Sequence, residues 1–423
     1  MRRQTKIVRM PRLVGALIPA LQTCFAGILL LGVWLSLRAA WADVLYQRNT
    51  RDSLTTCISL TPEKADCHAL LAEHRAGVSL DPEPESQRAL KLDPFNSELL
   101  MRTGIRAEAR GEYAQSERYL LRAAEVDRRF QPRWALTNYY FRRGDTVRFW
   151  LWARKALDMN YQDGMPLFRL AWKIADANDG EIRGHLHMRP FELRLYFAFL
   201  TEEYPSAARS LAQSLASGSG PEDVPRLLDY CDRVLSSDHD SALTVWNTLC
   251  LRKLLPFEPL DPERGDAITN GNFQSVPIQR GFDWRFSGCE GISIEFMPDA
   301  AAMRVQFTGK EAEDCAIASQ PLPGGLAGRY RLEYEYRIDD QTLNSADSFA
   351  GLSWQLEENA PQSNLTSSSA EFERGDGWKE GEVTVVSRQP EPPVLTLHYH
   401  RSRGTVEAEG TVLLRRIHMR KIP

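Results

Sequence analysis

The side chains best suited to chemistry in this sequence are its paired histidines, its adjacent carboxylates and its cysteines. His398 and His400 are two residues apart, so on a strand both point to one face and could share a metal ion, yet no third ligand stands nearby. Exposed polar positions account for them, and for His185 and His187 near a helix boundary, without a metal. Glu357 and Glu358 are adjacent, so on a strand they face opposite ways and cannot act as a general acid and base on one bond. Pro323-Gly324-Gly325-Leu326 is glycine-rich but precedes a strand, which lacks the helix N-terminus that cradles phosphate. G-x-S-x-G, G-x-x-x-x-G-K-[ST] and H-E-x-x-H are all missing. The expectation is a protein with no catalytic residues, no metal and no cofactor, and not an enzyme.

The seven cysteines point to structure rather than reactivity. Setting Cys24 aside, Cys57 and Cys67, Cys231 and Cys250, and Cys289 and Cys315 form three sequence-local pairs, none with the C-x-x-C spacing of a zinc site. An oxidising compartment would permit bridges. Cys289 with Cys315 reads as a disulfide within a β region, whereas Cys57 with Cys67 is equally compatible with a bridge or two buried thiols.

The elements that carry these residues begin at a membrane. Arg2, Arg3, Lys6, Arg9 and Arg12 precede the 25 positions Leu13 to Leu37, which hold no ionisable side chain except Cys24. As a helix this run is roughly 37 Å long, enough to cross a ~30 Å hydrocarbon core with some tilt. The basic flank should stay cytoplasmic, so everything after Ala40 is expected outside. Ala40-Trp41-Ala42 resembles a signal-peptidase site, but the apolar run exceeds the usual ~7–15 residue signal core and Arg38 interrupts the approach. We therefore expect a retained single-pass anchor in a bacterial inner membrane, with the body in the periplasm.

Periodicity organises the chain beyond the anchor. Arg88-Ala89-Leu90-Lys91-Leu92-Asp93, Arg122-Ala123-Ala124-Glu125-Val126-Asp127 and Lys155-Ala156-Leu157-Asp158-Met159-Asn160 align with their alanines 34 and 33 residues apart. Gly111-Glu112-Tyr113 and Gly144-Asp145-Thr146 recur 33 apart, and Asp93-Pro94 would end one unit and start the next. The pattern resembles the tetratricopeptide repeat, a pair of antiparallel helices of about 34 residues, which implies docking of protein partners. Small residues would let helices approach, and the glycines would supply left-handed backbone at the turns. Apolar spacing stays helical over 192–217 and 224–255, broken at Gly218-Ser219-Gly220-Pro221. In a stripe that includes Trp150 and Trp152, the residues Trp134, Tyr139, Tyr140 and Trp172 are candidates for a protein-binding face, though packing between helices explains such aromatics as well.

From Ile268 the period becomes two. Tyr330, Leu332, Tyr334, Tyr336 and Ile338 alternate with Arg331, Glu333, Glu335 and Arg337, as do Met303, Val305 and Phe307, and Leu395, Leu397 and Tyr399 with their neighbours. Such runs between turn residues predict an antiparallel β-sandwich. Ile268-Thr269-Asn270-Gly271-Asn272-Phe273, Gly281-Phe282-Asp283-Trp284-Arg285, Gly328-Arg329-Tyr330 and Gly410-Thr411-Val412-Leu413-Leu414 resemble galactose-binding-like jelly rolls among carbohydrate-binding modules. That resemblance implies possible glycan contact through exposed rings, with Trp284 and Trp378, near loops, as candidate platforms and Trp354 and Tyr399 in the core.

The expected architecture is multidomain: a basic cytoplasmic N-terminus (1–12), a transmembrane helix or signal anchor (13–41), an all-α tetratricopeptide-like solenoid (42–257), a linker (258–267) and a C-terminal antiparallel jelly roll (268–423). Its 43% hydrophobic and 26% charged composition is that of folded domains, and a net charge of −4 gives no ground for nucleic acid as a partner. An anchor, a docking solenoid and a glycan-module-like sandwich together resemble accessory components of bacterial exopolysaccharide or O-antigen assembly. The alternative is a polysaccharide-processing enzyme with an active site of unrecognised type.

Overall fold

The computed structural model describes residues 12–159, 164–218, 220–262, 264–323, 328–339, 348–349, 351–357, 372–373, 377–387, 393–401 and 409–422. Asn160, the run Gly324 to Leu326 and Glu358 lie outside them. The chain packs as two compact units, Met1–His187 and Met188–Pro423.

The first unit is helical. Its elements are α1 (Arg12–Arg48), α2 (Arg51–Leu60), α3 (Ala65–Gly77), α4 (Glu83–Leu92) and α5 (Ser97–Ala109). They continue as α6 (Tyr113–Val126), α7 (Phe130–Arg143), α8 (Thr146–Leu157), α9 (Met165–Ile174) and α10 (Asp179–Leu186). Local chemistry sets the ends. Asn96 accepts the Leu99 N–H at 3.1 Å and Asp145 that of Arg148 at 3.0 Å, satisfying donors that a first turn leaves open. Gly111 and Gly144 stop α5 and α7 at φ of 81° and 68°, where a β-carbon would be strained. Ala89, Ala123 and Ala156 are each 0% exposed, the close-approach positions that the repeat requires.

Helix α1 has two characters. Phe25, Ile28, Leu30, Trp34 and Leu37 are exposed, and Gln22–Arg48 is long and apolar enough to cross a membrane. Farther along, Ala42 and Leu45 are buried against the bridged Cys57 and Cys67, with Tyr46, Ile58 and Leu60 around them. Arg38 pairs with Glu63 and Lys64 with Asp43. The Cys57–Cys67 bridge joins α2 to α3 across a Cα separation of 6.4 Å.

The second unit opens with α11 (Pro190–Glu203), α12 (Pro205–Gly218), α13 (Val224–Val234) and α14 (His239–Leu251), the helical spacing expected over 192–217 and 224–255. Its strands are β1 (Arg285–Phe286), β2 (Ile292–Met297), β3 (Ala302–Thr308), β4 (Asp314–Pro321), β5 (Gly328–Asp339) and β6 (Ser348–Phe349). The remainder are β7 (Leu352–Glu357), β8 (Phe372–Glu373), β9 (Lys379–Ser387), β10 (Val394–His400) and β11 (Glu409–Ile422). Every strand pair is antiparallel, in sheets ordered β1-β4-β10-β7 and β2-β3-β11-β5-β9 with a β6-β8 ribbon. Between the two larger sheets lies the core expected from the alternation: Met303, Val305, Phe307, Tyr330, Leu332, Tyr334, Leu395, Leu397 and Tyr399 are all buried in it.

The helices and sheets of this unit share packing. Asp232 on α13 accepts from Arg280 Nε at 2.6 Å, the Gly281 N–H at 2.7 Å and Arg285 Nη2 at 2.9 Å, while Arg280 also reaches Asp229. Trp246 on α14 is 0% exposed, stacked on Phe257 at 5.7 Å and meeting Phe282 edge-on at 5.9 Å. A β-carbon on Gly281 would come within 2.5 Å of that indole. Leu260, Asp261 and Asp266 are held too: Asn247 donates to the Leu260 carbonyl and accepts its N–H, both at 2.8 Å, and Asp261 bridges Asp266 through backbone hydrogen bonds.

Cys289 and Cys315 are bridged at a Cα separation of 6.3 Å. Cys231 and Cys250 are not; they are free, buried thiols, and burial pushes Cys250 up to about 12 and Cys231 higher still.

Candidate binding surfaces

Helices α5 and α7 lie on either side of an open groove of about 790 Å³. Its α5 wall is Met101, Ile105 and Ala109, spaced by four so that they stack along one helix face. Opposite stand Gln131, Trp134, Ala135 and Asn138 of α7, with Tyr113 at one end. Ile105 is 50% exposed, a large aliphatic side chain with no internal reason to face water. The charges around this strip are neutralised locally. Arg142 makes a two-pronged contact with Glu108 at 2.8 and 2.7 Å, which raises the arginine's affinity for its proton. Arg102 pairs with Glu73 and Glu98, and Arg143 lies 3.7 Å over the Tyr113 ring. The groove thus presents an apolar strip between satisfied charges, suited to the apolar face of a peptide helix or strand.

Of the four aromatics expected on a protein-binding face, Trp134 alone lines this groove. Tyr139, Tyr140 and Trp172 are only 3%, 2% and 7% exposed, because their side of each helix turns into the stack. The Tyr139 hydroxyl donates to the Tyr113 carbonyl at 3.0 Å and that of Tyr140 to Glu117 at 2.7 Å; burial, then the Glu117 contact, push the Tyr140 phenol well up. Trp150 likewise packs inward, stacked on His185 at 4.7 Å. The aromatic stripe was a misleading signal for the groove; the four-residue spacing of Met101, Ile105 and Ala109 was the informative one.

The sandwich offers a different surface. On the outer face of the five-stranded sheet, Glu333 is directly opposite Glu382 and Glu335 opposite Glu380, a like-charge arrangement that is unfavourable by itself. Arginines offset it. Arg420 contacts Glu333, Arg331 lies 3.0 Å from Glu382, and a bulge in β11 between Arg415 and His418 brings both Arg415 and Arg416 onto Glu335, at 2.7 and 2.6 Å. Burial opposes charge on Glu335, but the hydrogen bonds from both arginines outweigh it and hold the carboxyl below its ordinary range. The resulting depression, about 470 Å³, is lined by these four glutamates with Arg416 and His418.

The two expected sugar platforms fall differently. Trp284 is 0% exposed, packed in the core against Phe273 at 5.7 Å and Trp354 at 6.0 Å, so neither of its faces is free for a pyranose. Its place beside a loop in sequence misled, since the segment turns this ring into the core of the sandwich. Trp378 is half-buried at the sheet surface, where Arg415 lies 3.8 Å and Arg337 5.5 Å from the ring centre, cations that compete with a sugar for the ring. His398 bonds Asp314 at 2.8 Å, and no cluster of three or more metal-ligating side chains exists among the described residues.

No family model matches the chain, and no curated protein matches it significantly. Solved structures resemble its two architectures separately. The helical part is similar to pilF of Pseudomonas aeruginosa at 18% identity, over 46% of this chain and 96% of that one, with a TM-score of 0.30. The sandwich is similar to the CBM22-1 xylan-binding domain of Paenibacillus barcinonensis Xyn10C (12% identity, 38% and 98% covered, TM-score 0.27). It is also similar to TmCBM61 in complex with β-1,4-galactotriose (14% identity, 33% and 88% covered, TM-score 0.22). Likeness at this level carries no inference about what this chain binds.

Proposed function

We propose that this protein is a non-enzymatic scaffold, anchored in a bacterial inner membrane by α1 with its body in the periplasm, that docks a partner protein in the α5/α7 groove. The carrying observation is the exposed apolar strip Met101, Ile105 and Ala109 among arginines already paired to carboxylates or stacked on tyrosine. Free arginines would favour an acidic tail; paired ones favour an apolar segment. The sandwich supplies a second contact surface, and an exported polysaccharide is the ligand class that the resemblance of its sequence motifs to carbohydrate-binding modules implies, making the protein an accessory factor in assembly or export of cell-surface polysaccharide.

A photo-reactive amino acid at Ile105 should crosslink a discrete partner in intact membranes, while the same probe at Leu151, 52% exposed on α8, should not. Equal yields from both positions would remove the groove as the docking site. Gene deletion tests the polysaccharide role: unchanged amount and chain length of surface glycan argues against it. Affinity electrophoresis against host polysaccharide tests direct contact: retardation of the purified protein is expected, and its absence removes glycan contact from the proposal.

A further inference from the structure

We infer that α1 is a structural part of the body as well as an anchor, and that this protects the chain from signal peptidase at Ala40-Trp41-Ala42. The inference rests on reading α1 as the membrane span. A peptidase site must be presented as extended, accessible chain. Here α1 runs unbroken from Arg12 to Arg48, with no glycine or proline between Gly32 and its end, so the apolar run and the A-x-A triplet are one helix. Nothing local unwinds it, even before the rest of the chain folds. Once α2 and α3 form, the last residue of the triplet is also buried, although Ala40 and Trp41 stay exposed. Ala42 is 0% and Leu45 5% exposed, the Cys57 sulfur lies 3.6 Å from the Ala42 carbonyl, and the Arg38–Glu63 and Lys64–Asp43 pairs straddle the Ala42–Asp43 bond. Cleavage there would strip Ala42 and Arg38 from this packing. The apolar segment ends at Leu37 and packing begins at Ala42, about 8 Å farther along the helix. The first helix pair is therefore seated directly on the anchor instead of hanging from a tether.

The test is the intact mass and N-terminal sequence of the full chain, recovered from membranes of a host with active signal peptidase. The wild type should begin at its own N-terminus, and Leu37→Pro, which breaks the helix at an exposed position, should accumulate a product beginning at Asp43. A wild-type chain beginning at Asp43 overturns the inference while leaving export intact. Wild type and variant both uncleaved also overturn it, because the helix would not be what protects the bond. A soluble, uncleaved chain would instead take down the membrane-span reading. Coupling to the body has its own readout. Leu45→Ser leaves the triplet intact and should lower the melting temperature of the extracted protein by roughly 5 °C; an unchanged melting temperature would show that α1 and the body are independent.

Discussion

Replacing Asp283 by asparagine should stabilise the protein at pH 8 relative to pH 4. The Asp283 side chain is 0% exposed; its Oδ2 accepts the Ile278 N–H at 2.5 Å, and its Oδ1 has no partner among the described residues. Loss of water pushes the carboxyl up to about 6, against the opposing pull of the Trp284, Ile278 and Gln279 backbone N–H groups. Unfolded, the same group ionises near 3.8. The folded form therefore holds the proton more tightly. The stability this contributes is complete below about pH 4 and is lost as pH rises through about 6. Roughly two pH units at ~1.4 kcal/mol each give a cost of about 3 kcal/mol at pH 8. An asparagine keeps an acceptor for Ile278 and carries no charge at either pH. Thermal unfolding followed by fluorescence, with Trp246, Trp284 and Trp354 as buried reporters, should show the variant's change in melting temperature to be roughly 6–12 °C more favourable at pH 8 than at pH 4. Equal changes at both pH values would refute the reasoning, since they would mean that the ionised carboxylate is satisfied where it sits.

Asp232→Ala should destabilise the 188–423 unit by about 2 kcal/mol, because it strips a partner from Arg280, Arg285 and the Gly281 N–H at once; the charges are about one-third exposed, which holds the figure down. Asp229→Ala, which removes an ion pair with Arg280 at a position 59% exposed, should cost under ~1 kcal/mol by urea denaturation. Gly144→Ala meets no atom within 4 Å and should cost only the left-handed strain, about 1 kcal/mol, whereas Gly281→Ala adds a clash with Trp246 and should cost at least twice that. Ile105→Glu should abolish partner crosslinking from Met101 while leaving the melting temperature within ~1 °C of wild type, as expected for an exposed side chain.

Much of the fold was legible because it rests on periodicity. Recurrence at 33 and 34 residues marked Ala89, Ala123 and Ala156, which are the fully buried helix contacts, and the two-residue alternation marked the faces of β3, β5 and β10. The surfaces were harder to read. An aromatic is as useful inside a helix stack as on its face, and local pattern does not say which, so Tyr139, Tyr140 and Trp172 were misplaced while Ile105 passed unnoticed. Trp284 sits in an irregular segment with no alternation to orient it; its burial depends on Phe273 and Trp354 in the sandwich core, which no local pattern brings to it. The bulge that turns both Arg415 and Arg416 toward Glu335 likewise has no local signature, because it appears only when β11 is registered against β5.

The opposed glutamates of β5 and β9 have a consequence in crowded surroundings. Among the described residues strand β9 ends its sheet, and an end strand offers its backbone to any passing chain. A second copy adding itself along β9 would bring Glu380 and Glu382 of both molecules close together, and the arginine that pairs with Glu382, Arg331, sits on β5, farther from the open edge. Trading those two glutamates for valines would keep the monomer's sheet and remove the repulsion, leaving a strand able to template fibrils.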